Sequence, residues 1–167
     1  MVTRAMSPAE AAMAAFAVEG VAGAARVADL YCGVGTFTFR LAEVASVLAA
    51  DSAAPAIAAL KAAIGSAPGL KPIAAEARDL VRRPVLSSEL AKIDAVVLDP
   101  PRAGAAEQVG EIGRSKTPRV AYVSCNPATF ARDARTLVDA GFRLERVLPV
   151  DQFLWSPHIE LVGIFSR

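Results

Sequence analysis

Apolar positions along this chain alternate between two spacings. Short continuous apolar runs at residues 26–31, 47–51, 93–98 and 120–123 read as strands covered on both faces. Between them lie stretches with helical spacing. Phe37, Leu41 and Val44 share one face of a helix over 36–45; Ile57, Leu60 and Ile64 share one over 52–64, which Gly65 ends. A further strand is expected at 70–74. Residues 105–114 predict a weaker helix, since Gly110 and Gly113 each cost about 1 kcal/mol relative to Ala. Asn126 and Pro127 open a helix to about 140, with Phe130, Ala134, Leu137 and Val138 as its inner stripe and Gly141 as its stop. The runs at 142–150 and 158–165 have no helix between them and predict antiparallel neighbours. The whole pattern is α/β: a mostly parallel sheet, helices on both faces, and an antiparallel last strand.

Ahead of the first strand, Arg4, the apolar stretch 11–18 and the small residues 22–25 have the outline of an export leader. Ser7-Pro8-Ala9-Glu10 argues otherwise, because Ser at the N-cap with Glu three residues later is a capping box and starts a helix over 8–21. With no repeat and no linker, residues 1–167 are expected to form one domain, its core at 26–167.

Composition narrows the function. Hydrophobic residues make up 54% of the 167, but Ala supplies much of that, and no run approaches the ~20 apolar residues of a spanning helix. No membrane is expected. The 18 basic and 17 acidic residues leave a net charge of +1, so bulk electrostatics will not hold nucleic acid, and an RNA substrate would need affinity from another segment. Cys32 and Cys125 alone make no disulfide framework or metal cluster, which points to the cytoplasm.

Ligands of parallel sheets bind beyond the strands' carboxyl ends, and that is where the chemistry-bearing residues gather. Asp29-Leu30-Tyr31-Cys32-Gly33-Val34-Gly35 is a strand leading into a glycine turn, and Asp51 ends the next strand 22 residues after Asp29. Such glycines let a ligand approach backbone N–H groups, while the acid accepts from ribose hydroxyls. A plain tight turn is the alternative. The third glycine of a dinucleotide fingerprint is missing, which disfavours a nicotinamide cofactor. Asp79 is a candidate for an adenine amino group, or else a solvated loop charge. Asp99-Pro100-Pro101 makes a rigid loop that aims Asp99 into the crevice. Cys125 stands between a strand end and a helix N-terminus, where the helix end favours a thiolate; a buried structural Cys is the alternative.

DLYCGVGTF at 29–37, DPPRAG at 99–104, SCNPATFARD at 124–133 and PHIE at 157–160 resemble the RNA uracil-5-methyltransferases, which use S-adenosylmethionine to make 5-methyluridine in tRNA and rRNA. Arg102 after the double proline separates the chain from amino-methylating enzymes of related sequence, which place an aromatic there. The resemblance implies a Rossmann-like class I methyltransferase sandwich. It also implies Cys125 as nucleophile, Glu160 as general base and Asp99 as the residue orienting the base, with the cofactor held by Asp29, Tyr31, Gly33, Gly35 and Asp51, and by Asp79 and Asp99. Uracil C5 is a poor nucleophile, and a thiolate adding at C6 gives C5 carbanion character. His158 is expected to tune Glu160 or serve structure, Phe153 and Trp155 to line the base pocket or pack, and Cys32 to pack. Family members carry an RNA-binding region ahead of this domain that the sequence does not contain, so a further region is expected to supply RNA affinity. Two other classes compete: a non-catalytic module that binds S-adenosylmethionine or RNA, and a nicotinamide oxidoreductase.

Overall fold

The computed structural model describes residues 7–151 and 159–167. In chain order the elements are α1 (Pro8–Gly20), β1 (Arg26–Leu30), α2 (Thr38–Ala42), β2 (Ser46–Asp51), α3 (Ala54–Ile64), β3 (Ile73–Ala77), a 3-10 turn (Glu89–Lys92), β4 (Ala95–Leu98), α4 (Ala106–Arg114), β5 (Arg119–Ser124), α5 (Pro127–Asp139), β6 (Arg143–Asp151) and β7 (Ile159–Ser166). The strands form one sheet in the order β3-β2-β1-β4-β5-β7-β6. Neighbours are parallel from β3 through β5, and β7 runs antiparallel to both β5 and β6. This is the expected α/β architecture with a reversed last strand.

Successive strand residues point to opposite faces, which gives the sheet two cores. Val27, Val47, Val97 and Val123 meet Met13, Phe37, Leu41, Ile57 and Leu60 on one face. Leu30, Val96, Leu98 and Tyr122 meet Leu90, Val109, Ile112, Phe130 and Leu137 on the other. The capping box forms: the Ser7 hydroxyl accepts from the Glu10 amide at 3.1 Å and Glu10 accepts from the Ser7 amide at 2.7 Å. The alanine bias of α1 has a packing reason. Ala14 and Ala17 are fully buried, and a Cβ on Gly20 would lie 2.3 Å from Ile164 Cδ1, so small residues at these positions let the helix lie close to the sheet. Among the described residues no helix is long and apolar enough to cross a membrane.

Four details differ from the sequence reading. The third strand starts at Ile73 rather than 70, because Pro72 cannot donate to a ladder and only its carbonyl is used, by the Val47 amide at 2.9 Å. The helix expected over 36–45 keeps only 38–42; its last turn tightens, with the Val44 and Ala45 amides both reaching the Leu41 carbonyl, and Val44 turns outward to 51% exposure. Val138 is exposed too, because the inner face of α5 is made by Phe130, Asp133, Ala134 and Leu137. The 3-10 turn was not foreseen; its Glu89 takes a two-point hydrogen bond from the Arg78 guanidinium at 2.8 and 2.9 Å.

Candidate active site

The chain leaves β1 through α2 to β2 on one side and later returns to β4 on the other, so the carboxyl ends of β1 and β4 flank the point where strand order reverses. Asp29, next to the end of β1, is fully buried. One of its oxygens accepts from Thr38 Oγ1 at 2.5 Å; the other is buried and meets no donor among the described residues. Burial is the main reason its carboxyl rises to about 7, with the Thr38 bond opposing and Asp51 adding. Tyr31 follows with φ of 64°, a left-handed conformation that costs a non-glycine residue about 1–2 kcal/mol. The Tyr31 and Cys32 amides both donate to the Ala50 carbonyl, at 2.8 and 3.2 Å, and hold the turn in place. The Tyr31 hydroxyl is buried without a partner among the described residues. Strain of this kind collects at ligand sites. Cys32 packs in the core, as expected.

Gly35 has φ of 96°, and a Cβ there would lie 2.7 Å from Leu60 Cδ1, so this turn can rest on α3 only as glycine. The Gly33 amide, expected to face a ligand, donates instead to Asp51 Oδ2 at 2.9 Å. Asp51 Oδ1 accepts from the Ala53 amide at 2.8 Å. Asp51 thereby ties the glycine turn to the end of β2. Asp79 Oδ1 accepts from the Val81 and Arg82 amides at 3.0 and 3.2 Å, which shapes the loop after β3. These residues enclose a cavity of about 320 Å³ lined by Tyr31, Asp51, Ser52, Asp79, Leu80, Val81, Asp99 and Pro101. Its walls carry three carboxyl groups and, among the described residues, no basic side chain. That acceptor set fits a cationic ligand rich in N–H and O–H groups, and it would repel a pyrophosphate. A hollow of about 340 Å³ between α1 and α2 contains no residue of a strand's carboxyl end.

Asp99 follows β4, and its amide donates to the Leu30 carbonyl at 3.2 Å. Burial first, then the charges of Asp29, Glu160 and Asp51, push its carboxyl up to about 7. Cys125 follows β5 and precedes the N-cap Asn126, whose side chain accepts from the Ala128 amide at 3.0 Å. The thiol is not held low as expected of a helix end. Burial and the Glu160 carboxylate push it up, and Asp99 adds to them; a backbone hydrogen bond and the positive charge of Arg102 pull it down. Glu160 is the second residue of β7, and burial raises its carboxyl as well. The antiparallel register pairs Ser124 with Leu161, so continuing it by one residue sets Cys125 across from Glu160.

Asp29, Asp51, Asp99, Cys125 and Glu160 thus sit within electrostatic reach of one another, while Asp79 occupies the cavity wall on the β3 side. Phe153, Trp155 and His158 lie outside the described residues. Sequence reasoning missed Arg102 as the cation beside Cys125, Thr38 as the partner of Asp29, and Asp133. Asp133 left one signal: it falls on the apolar stripe of its helix, where a charge needs a reason.

A family model for tRNA (uracil-5-)-methyltransferase matches residues 6–167. A Caulobacter vibrioides protein described as an uncharacterized RNA methyltransferase is 73% identical over 98% of this chain, and the match spans 40% of that protein. The 23S rRNA (uracil(1939)-C(5))-methyltransferase RlmD of a Shewanella species is 36% identical over 93% of the chain and 35% of its own length. Among solved structures, the Pyrococcus abyssi tRNA (uracil-54, C5)-methyltransferase in complex with S-adenosyl-L-homocysteine superposes with a TM-score of 0.78 at 31% identity, covering 94% of this chain and 38% of that one. The chain therefore spans less than half the length of these relatives. Fold, motifs and matched span agree, and the chain belongs to the tRNA (uracil-5-)-methyltransferase family.

Proposed function

We propose that this chain is the catalytic part of an enzyme that moves a methyl group from S-adenosylmethionine to C5 of a uridine in tRNA or rRNA. The observation that carries the reading is that Cys125 and Glu160 lie within electrostatic reach of Asp99, which lines the acceptor-rich cavity. S-adenosylmethionine suits that cavity, since its ribose hydroxyls, adenine amine, ammonium and sulfonium are donors or cations, and when bound it supplies an electrophilic methyl group. Asp51 and Asp79 would accept from its hydroxyl and amino groups.

Cys125 loses its proton to solvent, and its sulfur adds to C6 of the uracil, which places an electron pair at C5. Asp99, holding its proton near neutral pH, is suited to donate to a pyrimidine carbonyl and steady the charge that the addition delivers. After C5 has gained the methyl group, Glu160 takes the C5 proton, and the electron pair left behind restores the C5–C6 double bond as the Cys125 sulfur departs. Burial raises the Glu160 carboxyl and so makes it a better base.

The test is a denaturing gel of variants incubated with S-adenosylmethionine and unmodified tRNA and rRNA, fused to an RNA-binding domain where affinity requires one. Glu160→Gln should form a methylated, covalent protein–RNA adduct, because base removal costs roughly 10²- to 10⁴-fold at that step alone. Cys125→Ala and the double variant should form none. 5-Methyluridine produced by Cys125→Ala would end the reading, and normal turnover by Glu160→Gln would move the base to another group.

A further inference from the structure

The loop after Asp99 is fastened to the helix after Cys125, and one buried carboxylate holds the fastening. Asp133 on α5 is 1% exposed. Its Oδ2 accepts from the Ala105 amide at 2.8 Å and from the Tyr122 hydroxyl at 2.6 Å, and its Oδ1 accepts from Arg132 Nε at 2.8 Å. Arg132 extends the tie, with Nη2 donating to the Ala103 carbonyl at 3.0 Å. Nearer the start of the helix, Asn126 Nδ2 and Thr129 Oγ1 both donate to the Arg102 carbonyl, at 3.0 and 3.1 Å. Gly104 closes the joint: its φ is 81°, and a Cβ there would lie 2.5 Å from Arg132 Nη2 and 2.6 Å from Asp133 Oδ2.

Part of this arrangement serves folding, since Asp133 satisfies the buried Ala105 amide and the buried Tyr122 hydroxyl. An apolar side chain at 133 would continue the stripe of Phe130, Ala134 and Leu137, whereas a buried carboxylate is costly and stays only where hydrogen bonds satisfy it. The satisfied charge fixes the backbone on either side of Gly104, and that backbone sets Arg102 against Asn126, the residue next to the thiol. Among the described residues, three charged groups act on Cys125: Glu160 from β7, and Asp99 and Arg102 from the loop after β4. Arg102 is the single cation among them.

We propose that Asp133 is a positioning residue for the nucleophile: by locking residues 101–105 onto α5 it keeps the Arg102 guanidinium where it steadies the Cys125 thiolate. The proposal rests on Cys125 being the nucleophile, but its test does not require turnover. Alkylation of Cys125 by iodoacetamide, followed by peptide mass spectrometry across pH, reads the thiolate directly. Cys32 serves as an internal control, since burial above all pushes its thiol up to about 12. Asp133→Asn should raise the alkylation midpoint by about half a pH unit or more, a roughly threefold slower reaction near neutral pH. Asn126→Ser/Thr129→Val, which frees the Arg102 carbonyl while serine still caps the helix, should shift it in the same direction. With Arg102→Gln already present, neither change should move the midpoint further. An unmoved midpoint in folded Asp133→Asn, or a shift that persists without Arg102, overturns the proposal; should Asp133→Asn not fold, the second variant decides. A chain without methyl transfer would leave this result standing, and a failed tether would leave the adduct experiment standing.

Discussion

Asp29→Asn should make the folded protein more resistant to alkaline conditions while weakening its hold on the cofactor. The carboxyl of Asp29 rises from 3.8 to about 7, chiefly because it is buried. As pH climbs from about 4 to about 7, the unfolded chain gives up a proton that the folded chain keeps, so the folded state loses stability across that window and then levels off. At about 1.4 kcal/mol per unit, a rise of about three units costs up to roughly 4 kcal/mol above pH 7, and nothing below the unfolded value. Asparagine keeps a carbonyl oxygen for Thr38 Oγ1 and does not titrate. It also buries an amide without a certain partner, a cost of about 1–3 kcal/mol that is the same at every pH. The decisive number is therefore a difference between two pH values. Between about pH 5.5 and about pH 8, one and a half units remain before the folded carboxyl ionises, so the variant should gain about 2 kcal/mol on the wild type. Urea denaturation at both pH values measures it. A gap that stays constant would mean that Asp29 does not carry its proton into the neutral range. A more stable variant with weaker S-adenosylhomocysteine binding would show stability given up for a site.

Two further outcomes are expected. Asp51→Ala should weaken S-adenosylhomocysteine binding roughly tenfold to a hundredfold, because charge-assisted hydrogen bonds are worth about 1.5–3 kcal/mol; calorimetry against S-adenosylhomocysteine and NAD checks this, and equal affinity in wild type and variant would refute the role of Asp51. Residues 1–167 alone should bind RNA weakly and with a shallow dependence on salt, given a net charge of +1, and affinity should return on fusion to a basic RNA-binding domain; tight, steeply salt-dependent binding by this chain would contradict that.

Much of this molecule was legible where a residue type has one local job. Asn126 caps α5 and Gly141 stops it with φ of 96°, while the apolar runs became the buried strands β1, β4 and β5. Legibility failed where partners lie far along the chain. Nothing near Asp133 announces that residues 103 and 105, some 28 positions earlier, use it and Arg132 as a clamp. Nor does the sequence around Cys125 reveal the carboxylates that surround it. Helix-end position alone favours a thiolate, yet two carboxylates and burial outweigh it in the free site. The periodicity at Val44 and Val138 misled for a related reason: an apolar residue at the edge of a stripe is inside only if the neighbouring element extends far enough to cover it.

The reversed strand is what sets Glu160 at the carboxyl edge of the sheet. In a sheet whose strands all ran the same way, the start of the last strand would lie at the amino edge, a full strand length from every residue at the carboxyl edge. β7 runs against β5, so its first residues reach the carboxyl edge, and Leu161 is paired with Ser124 at the position just before the cysteine. Glu160 is delivered to Cys125 by topology. Gly163 fixes this alignment from the other face: a Cβ there would come within 2.6 Å of Phe130 Cζ, so the ring of a residue on α5 rests directly on the backbone of β7. Phe130 also meets Tyr122 edge-on, with ring centroids 5.5 Å apart, and Tyr122 donates to Asp133. The helix that begins beside Cys125 therefore grips the strand that carries Glu160 through Phe130 and the loop after Asp99 through Asp133. Two segments from distant parts of the chain are placed by one helix. A substitution on its inner face should act on both at once, whereas one on its outer face, such as the exposed Val138, should act on neither.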